Sequence, residues 1–269
     1  LRTICVHEKQ TIENFCRQDT YLHLYAIGDL DDFFWPYTTW YALEEGGTIL
    51  QLVLLYFGGG LPILLAQAGD SPELMEELLH SILHLLPRRL YTHLSPGLID
   101  VLAREYQIES HGIYFKMGLT DKGRLEVFDT SATIPLTRSE QVELEALYQA
   151  SYPGNWFDSR MLETGHYYGI RRQGRLVSVA GIHVYSPRYG VAALGNITTH
   201  PEFRGQGLGT LASARLCQEL LKTVEHIGLH VKKDNTAAIA CYKKLGFTVA
   251  AEYQEAMLTP KGAGRRPLE

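Results

Sequence analysis

The residues best placed by type and spacing to do chemistry form the run Arg204-Gly205-Gln206-Gly207-Leu208-Gly209-Thr210. Alternating glycines let a backbone take positive φ and come close to a ligand. The apolar-periodic stretch that follows predicts a helix whose unpaired N–H groups and positive dipole end face the turn. A diphosphate is the natural guest. Nucleotide hydrolysis is not expected, because a GxxxxGK[ST] loop needs a lysine that does not follow Gly209. The dinucleotide fingerprint GxGxxG fails as well, since Gly205-x-Gly207-x-Gly209 brings its third glycine one residue early.

The elements that must hold this turn are legible on both sides of it. Leu176–Tyr185 and Val191–Thr198 read as strands joined through Ser186-Pro187-Arg188-Tyr189-Gly190. Leu208, Ala212, Leu216, Leu220 and Val224 recur every four residues, so the following helix packs one face on a sheet. Leu229–Lys232 reads as a short strand. Asn235 opens a helix that runs to Lys244 and ends at Gly246, and Phe247–Leu258 supplies the closing strand or strands. Ser139–Ser151 reads as a helix after a capping-type start.

The first half is built in the same style. A helical start near Ile12–Tyr21 precedes strands at Tyr37–Leu43, Ile49–Phe57 and Leu61–Ala66. Ser71 as N-cap and Pro72 at the first helical position introduce a helix with the stripe Leu74, Leu78, Ile82 and Leu85, stopping before Pro87. A strand at Leu90–Leu94, a short helix after Pro96 and a strand at Ile113–Met117 follow. The polar break Thr120-Asp121-Lys122-Gly123-Arg124, between Leu119 and Leu125, divides the chain into expected domains 1–122 and 123–269. Each is expected to be α/β (α+β): a mixed, largely antiparallel twisted sheet flanked by helices.

Three matches then coincide: Arg204-x-x-Gly207-x-Gly209 after a strand, His200-Pro201-Glu202-Phe203 leading into it, and Asn235-x-x-Ala238-x-x-x-Tyr242 ending in Gly246-Phe247. On these, the stretch from Leu125 to Leu258 resembles the GNAT superfamily of acyl-CoA-dependent N-acyltransferases. The first half matches no motif and resembles only the arrangement of the fold, as a degenerate first repeat. Such a repeat would have an acceptor-recognition role, and an unrelated α/β domain is the alternative.

The resemblance implies acetyl-CoA as co-substrate and no metal. It implies that the backbone from Arg204 and Gly205 through Gln206, Gly207, Leu208, Gly209 and Thr210 cradles the CoA pyrophosphate, Thr210 adding a hydroxyl donor. Ile197, Thr198 and Thr199 would lend backbone groups to the pantetheine arm, one N–H also serving the developing oxyanion. Asn235, with Ala238 on the same helix, would meet the pantetheine, and Tyr242 would hydrogen-bond or protonate the leaving CoA thiolate. Each has an ordinary alternative: Arg204 a solvated helix-start arginine, Asn235 an N-cap, Tyr242 a core tyrosine. Lys243 and Lys244 are weaker candidates for the ribose phosphate. Many family members carry a glutamate on the strand before the turn, whereas this chain has Gly195-Asn196 and no carboxylate between Val191 and His200. The general base is therefore open among His183, His200, Glu163 and water.

Composition bounds the rest. With 269 residues, 45% of them hydrophobic, the chain can build a full core, and a net charge of −5 gives no basic excess for nucleic acid. Cys5, Cys16, Cys217 and Cys241 lack metal-type spacing and read as reduced thiols. The uncharged stretch Thr48–Gly69 is split by Gly58-Gly59-Gly60 and Pro62 into two strand-length runs, so no membrane span is expected. Leu1–Gln10 mixes charge and histidine, so no secretory leader is expected and the location is expected to be cytoplasmic. Trp156, Phe157, Tyr167 and Tyr168 could line an acceptor pocket, which favours a small amine. Two other functions remain open: an acyl-CoA-binding sensor without turnover, and a protein or peptide N-acetyltransferase.

Overall fold

The computed structural model describes residues 1–261. The chain groups into two units, Lys116–Ala250 and a first unit made of Leu1–Phe115 with the chain from Ala251. The division thus falls just before the expected break, and the end of the closing strand groups with the first unit, where the sequence reading kept 123–269 together.

The first unit runs β1 (Arg2–Cys5), α1 (Lys9–Cys16), α2 (Leu24–Gly28), β2 (Thr38–Glu45), β3 (Thr48–Tyr56), β4 (Ile63–Ala66), α3 (Pro72–Ile82), β5 (Leu90–Leu94), α4 (Ile99–Leu102) and β6 (Tyr106–Leu119) up to Phe115. β1 to β4 pair antiparallel in chain order, and β5 returns parallel to β4. A parallel return needs a crossover, which α3 supplies. β3 and β4 are the two strands expected from the membrane-like stretch; among the described residues no helix is long and apolar enough to cross a membrane.

The second unit runs β7 (Thr133–Pro135), α5 (Gln141–Ser151), β8 (Tyr168–Arg172), β9 (Arg175–Ser186), β10 (Val191–Thr199), α6 (Leu208–Leu220), β11 (His226–Lys232), α7 (Thr236–Lys244) and the start of β12 (Phe247–Pro260), whose residues from Ala251 group with the first unit. β7 to β10 again pair antiparallel in order, and β11 returns parallel to β10 across α6. Element for element this repeats the first unit, except that α2 is answered by a 3-10 stretch, Ser159–Thr164.

Helix registers follow the periodicity with two corrections in α3. Met75, Leu78, Leu79 and Ile82 face Leu43, Val53, Leu64 and Leu90 in the core. Leu85 is 49% exposed because the helix ends at Ile82 and a 3-10 turn follows, and the Ser71 side chain makes no cap bond. In the second unit, Leu208, Ala212, Leu216, Cys217 and Leu220 are buried on one side of α6. A capping box of Thr137 and Glu140 opens the approach to α5.

Gly246 is required twice over. It ends α7 at φ +98°, and a Cβ there would lie 2.1 Å from the Asp121 carbonyl oxygen. The N–H groups of Thr120 and Asp121 both donate to the Gly246 carbonyl at 3.1 Å. The polar stretch read as a domain break is thereby fastened to the end of α7.

Candidate active site

β10 and β11 lie side by side only from Val191 opposite His226 to Leu194 opposite Leu229. β10 then bulges: its register with β9 shifts between Gly195 and Thr198, and Asn196 takes φ +53°. Among the described residues the parallel ladder does not resume, although Thr198 and Thr199 still pair with Val179 and Ser178 of β9. The edge at residues 195–199 therefore offers backbone donors and acceptors to an extended ligand, as an added strand would find them. Ile197, Thr198 and Thr199 lie on this edge.

The bulge is locked by side chains distant in sequence. The Asn196 carbonyl accepts from the Tyr148 hydroxyl at 2.8 Å, and its Nδ2 donates to Tyr167 Oη at 3.0 Å. Tyr167 Oη lies 3.3 Å from the Ile182 carbonyl and 3.3 Å from Met161 Sδ, both acceptors. Burial pushes both phenols well above the ordinary tyrosine range, so both remain donors. With Nδ2 committed to Tyr167, Asn196 Oδ1 faces His183 Nε2 at 3.2 Å as an acceptor. A side chain at Gly195 would meet the His183 ring at 2.3 Å, so glycine is what lets the imidazole lie over β10. Tyr148 and Asn196 were missed by sequence reading. The adjacency of Gly195 and an asparagine, the non-glycine residue that best tolerates positive φ, was the available signal.

The bulged strand leads into the glycine turn. Gly205 and Gly207 take φ +76° and +75°, and a Cβ on either would meet nothing within 4 Å. Their glycine identity thus answers to backbone conformation and keeps the space above the turn open. A Cβ at Gly209 would come within 3.2 Å of Thr199 Oγ1, so that glycine seats α6 against β10. α6 begins at Leu208 with no side-chain cap. Its first-turn N–H groups, from Leu208 to Thr210, are the orphan donors of a helix N-terminus and fit an anionic diphosphate.

The flanking side chains serve the scaffold. Arg204 Nε donates to the Thr199 carbonyl at 3.2 Å and Nη2 to the Ser151 carbonyl at 3.4 Å, tying the turn to β10 and to the end of α5. The Thr210 hydroxyl donates to Cys241 Sγ at 3.1 Å, which leaves the backbone N–H as its contribution to the turn. Asn235 caps α7, its Oδ1 accepting from Ala238 N–H at 3.2 Å. Tyr242 is buried on α7 beside Phe247, with ring centroids 6.0 Å apart. Burial drives its phenol far above the ordinary range, so it carries its proton at neutral pH. Lys243 and Lys244 are exposed in the last turn of α7.

Of the three candidate bases, two are engaged elsewhere. His200 Nδ1 accepts from Glu202 N–H at 3.4 Å, capping the turn at Pro201–Phe203, and Nε2 lies 3.3 Å from Arg175 Nη2. Glu163 is exposed and paired with Arg138. His183 alone of the three contacts the bulge. The aromatic candidates separate too. Tyr167 is fully buried, with Phe157 packed against it and against Tyr148, while Trp156 is 55% exposed. Tyr168 is buried beneath the Arg215 guanidinium, 5.5 Å from its ring. Among the described residues no cluster of three or more histidine, cysteine or carboxylate side chains could hold a metal ion.

The bulged strand, the open glycine turn and the capped tyrosine helix lie within the stretch over which this chain matches a known family. The model of the acetyltransferase (GNAT) family matches residues 134–247. A Bacillus subtilis protein assigned as a [ribosomal protein bS18]-alanine N-acetyltransferase is 33% identical over 130 residues, covering 44% of this chain and 81% of its own. The chain belongs to the GNAT acetyltransferase family, whose co-substrate is acetyl-CoA. A mycothiol acetyltransferase of Saccharomonospora viridis is 33% identical over 126 residues, 43% of this chain; the match spans only 39% of that protein's length. A tandem GNAT protein from the clavulanic acid biosynthesis pathway shares the fold over 98% of this chain and all of its own, with a TM-score of 0.55 and 14% identity.

Proposed function

We propose that the chain moves an acetyl group from acetyl-CoA to a primary amine of a small molecule, by direct attack within a ternary complex. The observation that carries this reading is the edge of β10 that opens after Leu194 and ends on the uncapped start of α6. The pantetheine arm would lie along residues 197–199, with the pyrophosphate on the N–H groups of residues 206–210. An N–H of the bulged strand would receive the carbonyl oxygen as negative charge develops on it.

The amine nitrogen attacks the thioester carbonyl, a C–N bond forms, and the C–S bond breaks. Tyr242 gives its proton to the departing CoA thiolate, a role suited to a phenol that burial keeps protonated. His183, whose Nε2 faces Asn196 Oδ1 at the bulge, receives the proton from the amine. Positioning and oxyanion stabilisation supply most of the rate, so no covalent enzyme intermediate is needed.

Thiol release from acetyl-CoA with a panel of small amines tests the reading. Turnover with at least one amine is expected, and it should fall in His183→Gln. Acetyl-CoA binding without thiol release would favour a sensor. The Bacillus relative's assigned acceptor is a ribosomal protein, which makes a protein N-terminus the second reading. A mass increase of one acetyl group on peptides, with none on small amines, would establish that reading instead.

A further inference from the structure

The first unit carries a polar cluster that the acyl-transfer chemistry does not use. Leu90 and Leu94 of β5, with Ala256 and Leu258 of β12, belong to the apolar core beneath α3. By strand alternation Tyr91 and His93 share the opposite face with Tyr253 and Glu255. Glu255 is 9% exposed. Its Oε2 accepts from the Tyr91 hydroxyl at 2.5 Å and its Oε1 from the Tyr253 hydroxyl at 2.6 Å, while His93 Nε2 stands 3.5 Å from Oε1. On β6, His111 Nδ1 lies 3.0 Å from the Tyr91 hydroxyl. Rings pack around the carboxylate, His93 to Tyr253 at 5.1 Å and Tyr114 to Tyr253 at 5.5 Å.

Counting lone pairs shows what is missing. A carboxylate offers about four acceptor positions, and the two hydroxyls fill two. Among the described residues no lysine or arginine pairs with Glu255. The facing group that can carry a positive charge is His93, 3.5 Å from Oε1, and a buried carboxylate is costly unless it is paired; two neutral hydroxyls do not supply a charge. A second acceptor lies close by in the chain. Gln67, 4% exposed, comes two residues after Leu65, the partner of His93 in the ladder, just past the end of β4. Its Nε2 donates to the His93 carbonyl at 2.8 Å, while its buried Oε1 has no hydrogen-bond partner. Vacant acceptors, one negative charge and the faces of tyrosine and histidine rings are together complementary to a cation that carries N–H donors.

We propose that Glu255, Tyr91, Tyr253 and His93, with Gln67 beside them, form a recognition site for the primary ammonium group of a small amine. The ammonium donates to the remaining lone pairs of Glu255 and rests against the rings. The site uses no residue of the acetyl-CoA edge, and it reaches the amine class from an independent set of residues.

Calorimetry on the full chain, without acetyl-CoA, tests it with phenethylammonium and the neutral isostere 2-phenylethanol. Saturable binding of the ammonium and none of the alcohol is expected, with affinity about tenfold weaker in Glu255→Gln. Equal binding of the two probes, or an unchanged affinity in a folded Glu255→Gln, overturns the proposal. Should that variant fail to fold, the wild type decides. Tyrosine 13Cζ resonances, assigned through Tyr91→Phe and Tyr253→Phe, should move as phenethylammonium is added, and static resonances overturn the site. None of these readouts requires turnover, so the site and the acyl-transfer reading stand or fall separately.

Discussion

The two units share an order of elements and differ where the ligand would lie. In the second, the parallel ladder stops at Leu194, Asn196 bulges, and α6 starts uncapped behind two glycines in the left-handed region. In the first, β4 and β5 pair along the whole of β4, and the ladder extends at both ends through Tyr91 N–H to Pro62 and Ser95 N–H to Ala66. The turn after β4 is closed by its own protein. Gln51 Nε2 donates to the carbonyls of Ala68 at 2.9 Å and Ser71 at 3.1 Å, and Ser95 Oγ accepts from Ala68 N–H at 2.9 Å. Pro72 then begins α3 without an N–H to offer. A scaffold of this kind becomes a diphosphate site only when the strand edge is opened and the helix start left unsatisfied.

The largest expected effect follows from that contrast. Gly207→Val places a β-branched residue at φ +75° and fills the open space above the turn, so acetyl-CoA affinity should fall roughly 100-fold or more. Calorimetry on variant confirmed as folded by circular dichroism checks this; normal affinity would dissociate the turn from the pyrophosphate. The wild type should saturate with one acetyl-CoA per chain. A second equivalent would mean that the closed turn of the first unit binds as well, and the contrast would fail.

Tyr242→Phe comes next. Turnover should drop roughly 100-fold while acetyl-CoA affinity changes little, because the lost hydroxyl acts on the leaving thiolate. The raised phenol also fixes the pH behaviour: the wild-type rate should show no alkaline loss through the ordinary tyrosine range. Unchanged turnover in the variant would leave Tyr242 as a packing residue against Phe247.

How much of this could be read beforehand depends on sequence distance. Gly205, Gly207, Asn235 and Gly246 act within a few residues of themselves, through φ or a cap, so their spacing alone revealed the turn, α7 and its end. The order of strands and helices was legible for the same reason, in apolar periodicity. The bulge was not, because Asn196 is fixed by Tyr148, Tyr167 and His183, contributed by α5, by the approach to β8 and by β9. Nor was the grouping of β12 with both units, since Phe247–Pro260 reads as one strand whichever partners it has. The closed turn of the first unit was equally hidden, because Gln51 lies 17 residues before Ala68.

Asn196 allows a graded test of the open edge. Asn196→Val puts a β-branched residue at φ +53° and should cost about 1–2 kcal/mol of stability, read from denaturant unfolding. Asn196→Gly keeps the conformation and removes only the amide. Its stability should fall less, while turnover drops roughly tenfold as Tyr167 and His183 lose their common partner. Equal loss of turnover in both variants, in proportion to stability alone, would show that the bulge is shape without chemistry.

A last test separates the units by pH and leaves turnover aside. Asp158 of the second unit is held down at about 2 by hydrogen bonds from Arg160, but it is exposed enough for solvent to screen most of that stabilisation. Asp29 of the first unit is buried at the end of α2, and burial pushes its carboxyl up to about 8. Below about pH 4 this group is protonated folded and unfolded alike, and contributes no pH dependence. From there to about pH 8 the unfolded chain is ionised while the folded one still holds the proton, so stability declines as pH rises; above that window the decline stops. The melting temperature of the wild type should therefore fall between pH 5 and pH 9, and Asp29→Asn should remove most of the fall. A variant with the wild-type slope would show that the first unit accommodates the Asp29 charge without cost, leaving ligand-site closure as what distinguishes it from the second.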